Sequence, residues 1–526
     1  MFNLAAHLWK LSCSNDYLFF RKNLENMQKI QSANLKKILN RAEGTVFGEK
    51  YKICKDWAVD DFQKNIPISE YKDYEVFLNR IVKGEQNVLT KSKLRRLGLT
   101  SGSSGRMKYI PFTDLLASEF SKSIHVWIYG LLQAYPNLLK GKFYFSVSPT
   151  GFPETEKHNL KIGFDTDGDY LKPWERIFAN QLLIVPEWLG NVHDPEFVFY
   201  VTALRLLASK DLTLISIWNP TFFLSLMELM VQEKKSLLDD LRFGSFVKFE
   251  TSISPKILKQ LLVQDPNRAK ELEEIMSGEW NWKKIWPKLT RMSLWTDSLA
   301  QISFQKLQSK LPHLTFEPKG VIATEGMITI PFYERRADPR HLLAFVSHFF
   351  EFLDPEGKVY LPHEVKEGFE YEVLLTTGGG LYRYRIGDRF LVTGKYQGVP
   401  ELKFLGRNDD ISDLVGEKLN EEFLRKELLP ILQTYGLTNR NSFFRGNLTE
   451  QKLYYELVID EEICLEEVLS LSELVETILH LNPHYEYARK MGQLDPMKLI
   501  QTRFQQNDLG RNSTSKNKFL RRPITE

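Results

Sequence analysis

One short segment constrains this chain more than any other: Thr100-Ser101-Gly102-Ser103-Ser104-Gly105-Arg106-Met107-Lys108. It stands between two β-like runs. Two glycines and several small hydroxyl residues let backbone N–H groups come close to an anion. The hydroxyls add donors and Lys108 adds a point charge, a combination that suits a polyphosphate. The spacing is not the GxxxxGK[ST] of a Walker A loop. Ser/Gly segments of this kind are more often plain loops, so the phosphate reading needs support from elsewhere in the chain.

The surrounding pattern alternates strands and helices. Met1 to Ala42 reads as helical, with Gln28 to Ala42 amphipathic. Leu94–Leu99 reads as a strand, and Thr113 caps a helical pattern that runs to Ala134. Phe143–Ser148 and Leu212–Trp218 read as strands. Asn219-Pro220-Thr221 forms a turn and N-cap before an apolar helix. Such alternation implies βα units around a sheet. Trp280, Trp282 and Trp286 read as helix-face packing. From Tyr371 to Leu405 the pattern is strand-rich, broken at Gly378-Gly379-Gly380. Beyond it come a helix from Leu419 to about Tyr435, a strand pair at Ser442–Arg445 and Leu453–Ile459, and a helix from Leu465 to His480. These form a small α+β unit. The boundary is placed near Gly406–Asp410, giving domains 1–406 and 407–526. By composition, Arg511 to Glu526 is a flexible basic tail.

At 526 residues two or more domains are expected, because single cores stop growing beyond roughly 250–300 residues. The net charge of +3 gives no electrostatic case for nucleic acid. The three cysteines, Cys13, Cys54 and Cys464, are far apart and form no CxxC pair, so reduced thiols are expected. No apolar run reaches the ~18 residues of a membrane span. The expectation is a cytoplasmic monomer without membrane or nucleic-acid partners. His480 and His484 have i, i+4 spacing, but Asn482-Pro483 between them breaks a helix and argues against a zinc pair.

Three further segments carry chemistry. In Ala323-Thr324-Glu325-Gly326 a carboxylate beside a small hydroxyl at a strand end can hold Mg²⁺ and polarise a phosphate; a solvated loop glutamate fits the segment alone as well. In Tyr382-Arg383-Tyr384-Arg385-Ile386-Gly387-Asp388, Asp388 can accept two hydrogen bonds from a ribose diol. The competing reading pairs it with Arg383 or Arg385 on an exposed strand. Gly406-Arg407-Asn408-Asp409-Asp410, followed by Gly416-Glu417-Lys418, suits either a hinge or an ordinary linker.

In order and spacing, these four segments resemble the adenylate-forming superfamily of acyl-CoA synthetases, luciferases and peptide-synthetase adenylation domains. T-S-G-[ST]-[ST]-G-x-x-K matches Thr100 to Lys108, with Met107 where proline is usual. T-E matches Thr324-Glu325, Y-R-x-G-D matches Tyr384 to Asp388, and G-R-x-D matches Gly406 to Asp409. A closer resemblance, from about Leu24 onward, is to the Gretchen Hagen acyl-acid amido synthetases. It is carried by Ala42-Glu43-Gly44-Thr45-Val46-Phe47-Gly48, Ile217-Trp218-Asn219-Pro220, Gly416-Glu417-Lys418-Leu419 and Leu481-Asn482-Pro483-His484-Tyr485.

The resemblance implies an α/β fold, with a large multi-sheet adenylate-forming domain and a smaller mobile C-terminal domain. It implies that ATP and Mg²⁺ activate a carboxylic acid as acyl-AMP, and that the acyl group passes to an amine, an amino acid. It also implies residue roles. Thr100, Ser101, Gly102, Ser103, Ser104, Gly105 and Lys108 would embrace the phosphates. Thr324 and Glu325 would serve the Mg²⁺–ATP site, with Glu325 as metal ligand. Asp388 would hold the ribose, and Arg407 and Asp409 would lie at the swinging junction. A catalytic lysine is expected from the C-terminal unit. Lys518 fits by position, with Lys516 second and Leu520 where proline is usual. The rivals are an acyl-CoA ligase of the same superfamily and a non-catalytic nucleotide-binding relative.

Overall fold

A computed structural model describes residues 4–101, 107–146, 155–157, 160–163, 173–192, 194–296, 300–334, 338–407, 411–412, 414–417, 419–438, 441–448, 453–503 and 519–524. The protein is built from separate sheets with helices packed against them, as the α/β reading expects. The strand Leu94–Ser101 pairs antiparallel with Met107–Thr113. Thr113 then caps the helix Asp114–Ala134 by accepting the Leu116 N–H at 3.2 Å.

A parallel sheet runs in the order Lys142–Phe145, Leu212–Ser216, Arg291–Leu294, Thr315–Pro318. Leu212–Ser216 is buried at every position, as a strand covered on both faces must be. Asn219 caps the following helix, Pro220–Gln232. Trp286 is fully buried behind this sheet and its indole donates to Leu206 O at 2.8 Å. Of the three tryptophans expected on one helix face, only Trp282 lies within the short helix Trp282–Ile285; the others pack around its ends.

The strand-rich segment forms an antiparallel sheet in the order Thr329–Phe332, Arg340–Leu343, Val399–Arg407, Tyr384–Tyr396, Glu370–Thr376, Phe349–Leu353, Val359–Tyr360. The helix Met27–Ala42 packs on this sheet and buries two polar side chains against it. Gln31 donates to Phe345 O and His348 O, and accepts the Phe350 N–H. Asn34 donates to the same two carbonyls.

Beyond it, a core drawn from Leu414 to Leu520 surrounds a sheet ordered Lys498–Gln501, Tyr454–Ile459, Ser442–Asn447, Leu520–Ile524. Here two expectations are corrected. The helix expected from Leu419 begins at Glu421, because Leu419–Asn420 pairs with Ile411–Ser412 and Asn420 serves as N-cap. The stretch expected to be a flexible tail contains a strand, Leu520–Ile524, parallel to Ser442–Asn447, and residues 511–518 lie outside the described residues. The apolar pair Phe519-Leu520 is buried, and both backbone N–H groups donate to the Glu421 carboxylate. Composition hid this because the basic residues around the pair outnumber it and its partner strand is remote in sequence. The unit leans on the rest of the chain through Met491, buried in the core around the parallel sheet, and through Gln493, which donates to Thr221 at 3.2 Å.

Phe519→Ala is expected to cost about 3–5 kcal/mol, the range for removing a buried phenylalanine. Urea unfolding should show it, and hydrogen exchange at the Phe444 amide, which donates to Phe519 O, should accelerate.

Candidate active site

The site begins at the hairpin. Thr100 lies opposite Lys108 and Ser101 opposite Met107 in the antiparallel register. Gly102, Ser103, Ser104 and Gly105, the centre of the expected phosphate loop, lie outside the described residues. Lys108 is half-buried, its ammonium 5.1 Å from the Tyr71 ring centre. The Tyr71 hydroxyl accepts the Tyr109 N–H at 2.9 Å. Burial raises the Tyr71 hydroxyl above its usual range, so it stays protonated at neutral pH.

Tyr71 opens the helix Tyr71–Val82, and the residues before it lead to the next motif. Ser69 N–H donates to Arg383 O, and Arg385 N–H donates back to Ser69 O. Tyr74 accepts the Tyr382 N–H at 2.7 Å and donates to Tyr382 O at 3.0 Å. The helix Tyr71–Val82 is thus laced to the start of the strand that bears Asp388.

That strand, Tyr384–Tyr396, is irregular where the chemistry is expected. Glu372 faces Arg389 and Leu374 faces Arg385, so Ile386-Gly387-Asp388 bulges from the ladder. Gly387 takes φ +80°, a conformation that favours glycine. Asp388 is 4% exposed and sits opposite Arg407 of the neighbouring strand in backbone register. Neither of the arginines proposed as its partners is spent on it in the ion pairs seen. Arg383, itself buried, binds Glu351 at 3.0 Å and donates to Gln63 O and Ile66 O. Arg385 binds Glu372 at 2.6 Å, a hydrogen bond that raises its pKa further. Arg383 holds φ +47°, unusual for a side chain of this size and held in place by these bonds.

Glu325 lies at the turn between Ile322–Ala323 and Gly326–Met327. It is 7% exposed, not a solvated loop residue. The turn is fastened from below. Met327 N–H donates to His348 Nε2 at 3.0 Å, His348 Nδ1 lies 2.9 Å from Glu119 Oε2, and Glu119 accepts the Gly378 N–H at 2.9 Å. Glu119 comes from the helix Asp114–Ala134, and Gly378 belongs to the break before the Asp388 strand. Thr113, the cap that follows the hairpin strand, donates to Gly378 O at 2.8 Å. Lysine, buried carboxylate and bulged aspartate therefore stand on one connected framework. Sequence reading did not single out Glu119 or His348. The signals available were an acidic residue within the apolar pattern of a helix and a histidine within the run from Phe345 to Phe352.

Lys518 lies outside the described residues, although its neighbour Phe519 is buried. Among the described residues no group of three or more His, Cys, Asp or Glu is arranged to hold a metal, and no helix is long and apolar enough to cross a membrane.

Two family models match the chain. The GH3 family N-terminal domain matches residues 17–316, more than half of the chain, and the GH3 family central domain matches residues 341–407. The chain belongs to the GH3 family. This GH3 chain is 24% identical over 453 residues to the 4-substituted benzoates-glutamate ligase GH3.12 of Arabidopsis thaliana, covering 80% of this chain and 76% of the relative. It is 24% identical over 420 residues to the jasmonoyl–L-amino acid synthetase JAR6 of Nicotiana attenuata, covering 76% and 72%. In fold it resembles the solved AtGH3.15 acyl acid amido synthetase in complex with 2,4-DB, with TM-score 0.68, 21% identity and coverage of 98% and 94%. The adenylate-forming α/β fold expected from the motifs is thus the one observed.

Arg383→Met should destabilise the protein by about 3–5 kcal/mol, because it leaves Glu351 buried without its cation. Adding Glu351→Met should return part of that loss in chemical denaturation.

Proposed function

We propose that this chain is an ATP-dependent acyl-acid amido synthetase. It activates a carboxylic acid as acyl-AMP with release of pyrophosphate, then transfers the acyl group to an amine, an amino acid. The observation that carries this reading is the joining of the Lys108 hairpin, the Glu325 turn and the Asp388 bulge through Glu119, His348 and Tyr74. Membership of the GH3 family supports it, as do relatives named for glutamate and for L-amino acid acceptors.

A carboxylate is a poor electrophile until an anhydride with AMP provides a leaving group. In this reading Thr100, Ser101, Gly102, Ser103, Ser104 and Gly105, with Lys108, bind the phosphates and offset charge that develops there. Asp388 accepts from the ribose hydroxyls. Glu325 fits a Mg²⁺ ion: it is a hard oxygen donor, buried at the tip of a turn, and Mg²⁺ commonly takes one or two carboxylates beside phosphate oxygens and water. The ion, when bound, supplies Lewis-acid polarisation of the phosphate oxygens. Residues 407–526 act as a small mobile domain against 1–406, with Arg407 at the junction. The family's central-domain match ending at 407, and the separate core from Leu414, support that division. Lys518 would reach the carboxylate and α-phosphate in the first half-reaction. The protein works in the cytoplasm as a monomer.

The test is ATP–pyrophosphate exchange over a panel of aryl and aliphatic acids, followed by product analysis with mixed amino acids and coenzyme A as competing acceptors. Acid-dependent exchange and an amide product are expected. A thioester product would make the chain an acyl-CoA ligase, and no exchange with any acid would overturn the reading. Asp388→Ala is expected to weaken ATP use by about 2–4 kcal/mol, since two ribose hydroxyls lose a charged acceptor in a closed site. Unchanged ATP kinetics in the folded variant would remove Asp388 from the nucleotide site.

A further inference from the structure

We propose that Glu119 and His348 are positioning residues for the nucleotide end of the site, and that they work through one fixed imidazole tautomer. The proposal rests on the adenylation reading above.

The proton inventory has one solution. The Met327 backbone N–H can only donate, so His348 Nε2, 3.0 Å away, accepts and carries no hydrogen. The proton of the neutral ring is then on Nδ1, which donates to Glu119 Oε2 at 2.9 Å. The Gly378 N–H also only donates, at 2.9 Å and 3.2 Å from the two Glu119 oxygens. Glu119 therefore meets two donors and accepts from both. All of this is dry: His348 is 0% and Glu119 3% exposed, and the Phe120 and Phe350 rings flank the imidazole.

The same pair is pressed against both functional loops. A Cβ at Gly326 would lie 2.8 Å from His348 Nε2, and one at Gly378 would lie 2.8 Å from Glu119 Oε1 and 2.4 Å from Leu115 Cγ. Gln31 and Asn34 hold the His348 carbonyl from the opposite side. Met327 is two residues beyond Glu325, and Gly378 opens the turn into the Asp388 strand. The pair thus fixes the height of the Glu325 turn relative to the ribose strand. Neither side chain is assigned to touch ATP or the acid; both act through the backbone they hold, as partners beyond the ligands orient metal and substrate groups elsewhere.

Glu119→Gln tests this, because it keeps the shape and reverses the hydrogen-bond logic. The Gly378 N–H and Nδ1 both lie nearest the same oxygen, Oε2, so a glutamine that keeps its oxygen there sets its NH₂ against the Gly378 N–H, and one that turns over presents its NH₂ to Nδ1. In the second case the ring must move its proton to Nε2, where it opposes the Met327 N–H. In histidine-labelled full-length protein, nitrogen-15 NMR should show a buried Nδ1–H tautomer in the wild type whose signal is shifted or lost in Glu119→Gln; loss of the same signal in His348→Gln assigns it. In pyrophosphate exchange, Glu119→Gln should raise the Mg²⁺ concentration for half-maximal rate roughly 10-fold. His348→Gln, whose amide oxygen can still accept from Met327, should raise it less. Tyr200→Phe, which loses a buried hydrogen bond to Asp240 in a different core, controls for destabilisation and should leave the Mg²⁺ requirement unchanged.

An Nε2–H tautomer in the wild type overturns the proposal. So does a Mg²⁺ requirement in Glu119→Gln that moves no further than in Tyr200→Phe. If the wild type exchanges pyrophosphate with no acid, it is the adenylation reading that fails, while the tautomer measurement still reports on the pair itself.

Discussion

An ionised carboxylate in an apolar interior costs several kcal/mol unless donors surround it. Glu119 meets that demand with a backbone N–H and an imidazole, and the donors it recruits belong to different parts of the chain. Helix Asp114–Ala134 is thereby committed to one rotation and one depth against the antiparallel sheet. A slip of that helix would strand the charge, so the cost of the buried group enforces the alignment of the elements around it. Specificity of arrangement, more than net stability, is what such a buried network contributes.

The same economy appears on the other side of the sheet. Arg383 would be an expensive residue to bury and to hold at positive φ, yet its guanidinium satisfies Glu351 and two main-chain carbonyls at once. The N-terminal helix Met27–Ala42 is fastened through polar side chains in a like manner, Gln31 and Asn34 both reaching the Phe345 carbonyl. Apolar area drives these surfaces together, but directional bonds decide the register at which they stop. The bulge at Gly387 then sits on a support that cannot easily shift.

Much of this was legible beforehand because it is local. The Thr113 and Asn219 caps and the buried run Leu212–Ser216 are written within a few residues of where they act. What escaped reading is non-local. Glu119 looked like one more charge on a helix, because its meaning depends on His348 and Gly378, each more than two hundred positions away. Leu520–Ile524 looked like tail, because the strand it joins ends at Asn447. Asn420 marked the true start of its helix, but a two-residue strand before it carries too little periodicity to be seen.

The sheet of the small unit has a consequence for how the chain assembles. Its two inner strands, Ser442–Asn447 and Tyr454–Ile459, form a local antiparallel hairpin, whereas both outer strands join in parallel and from far along the chain. The hairpin closes a short loop, whereas each outer strand closes a longer one, whose closure entropy has to be met before the pairing offsets it. Without those outer strands both flanks of the hairpin would present unmatched amides and carbonyls, the surface on which chains pair with the wrong partner. Leu520–Ile524 is then as much a shield as a strand, and the bond from Phe519 to Glu421 helps to hold it over that flank.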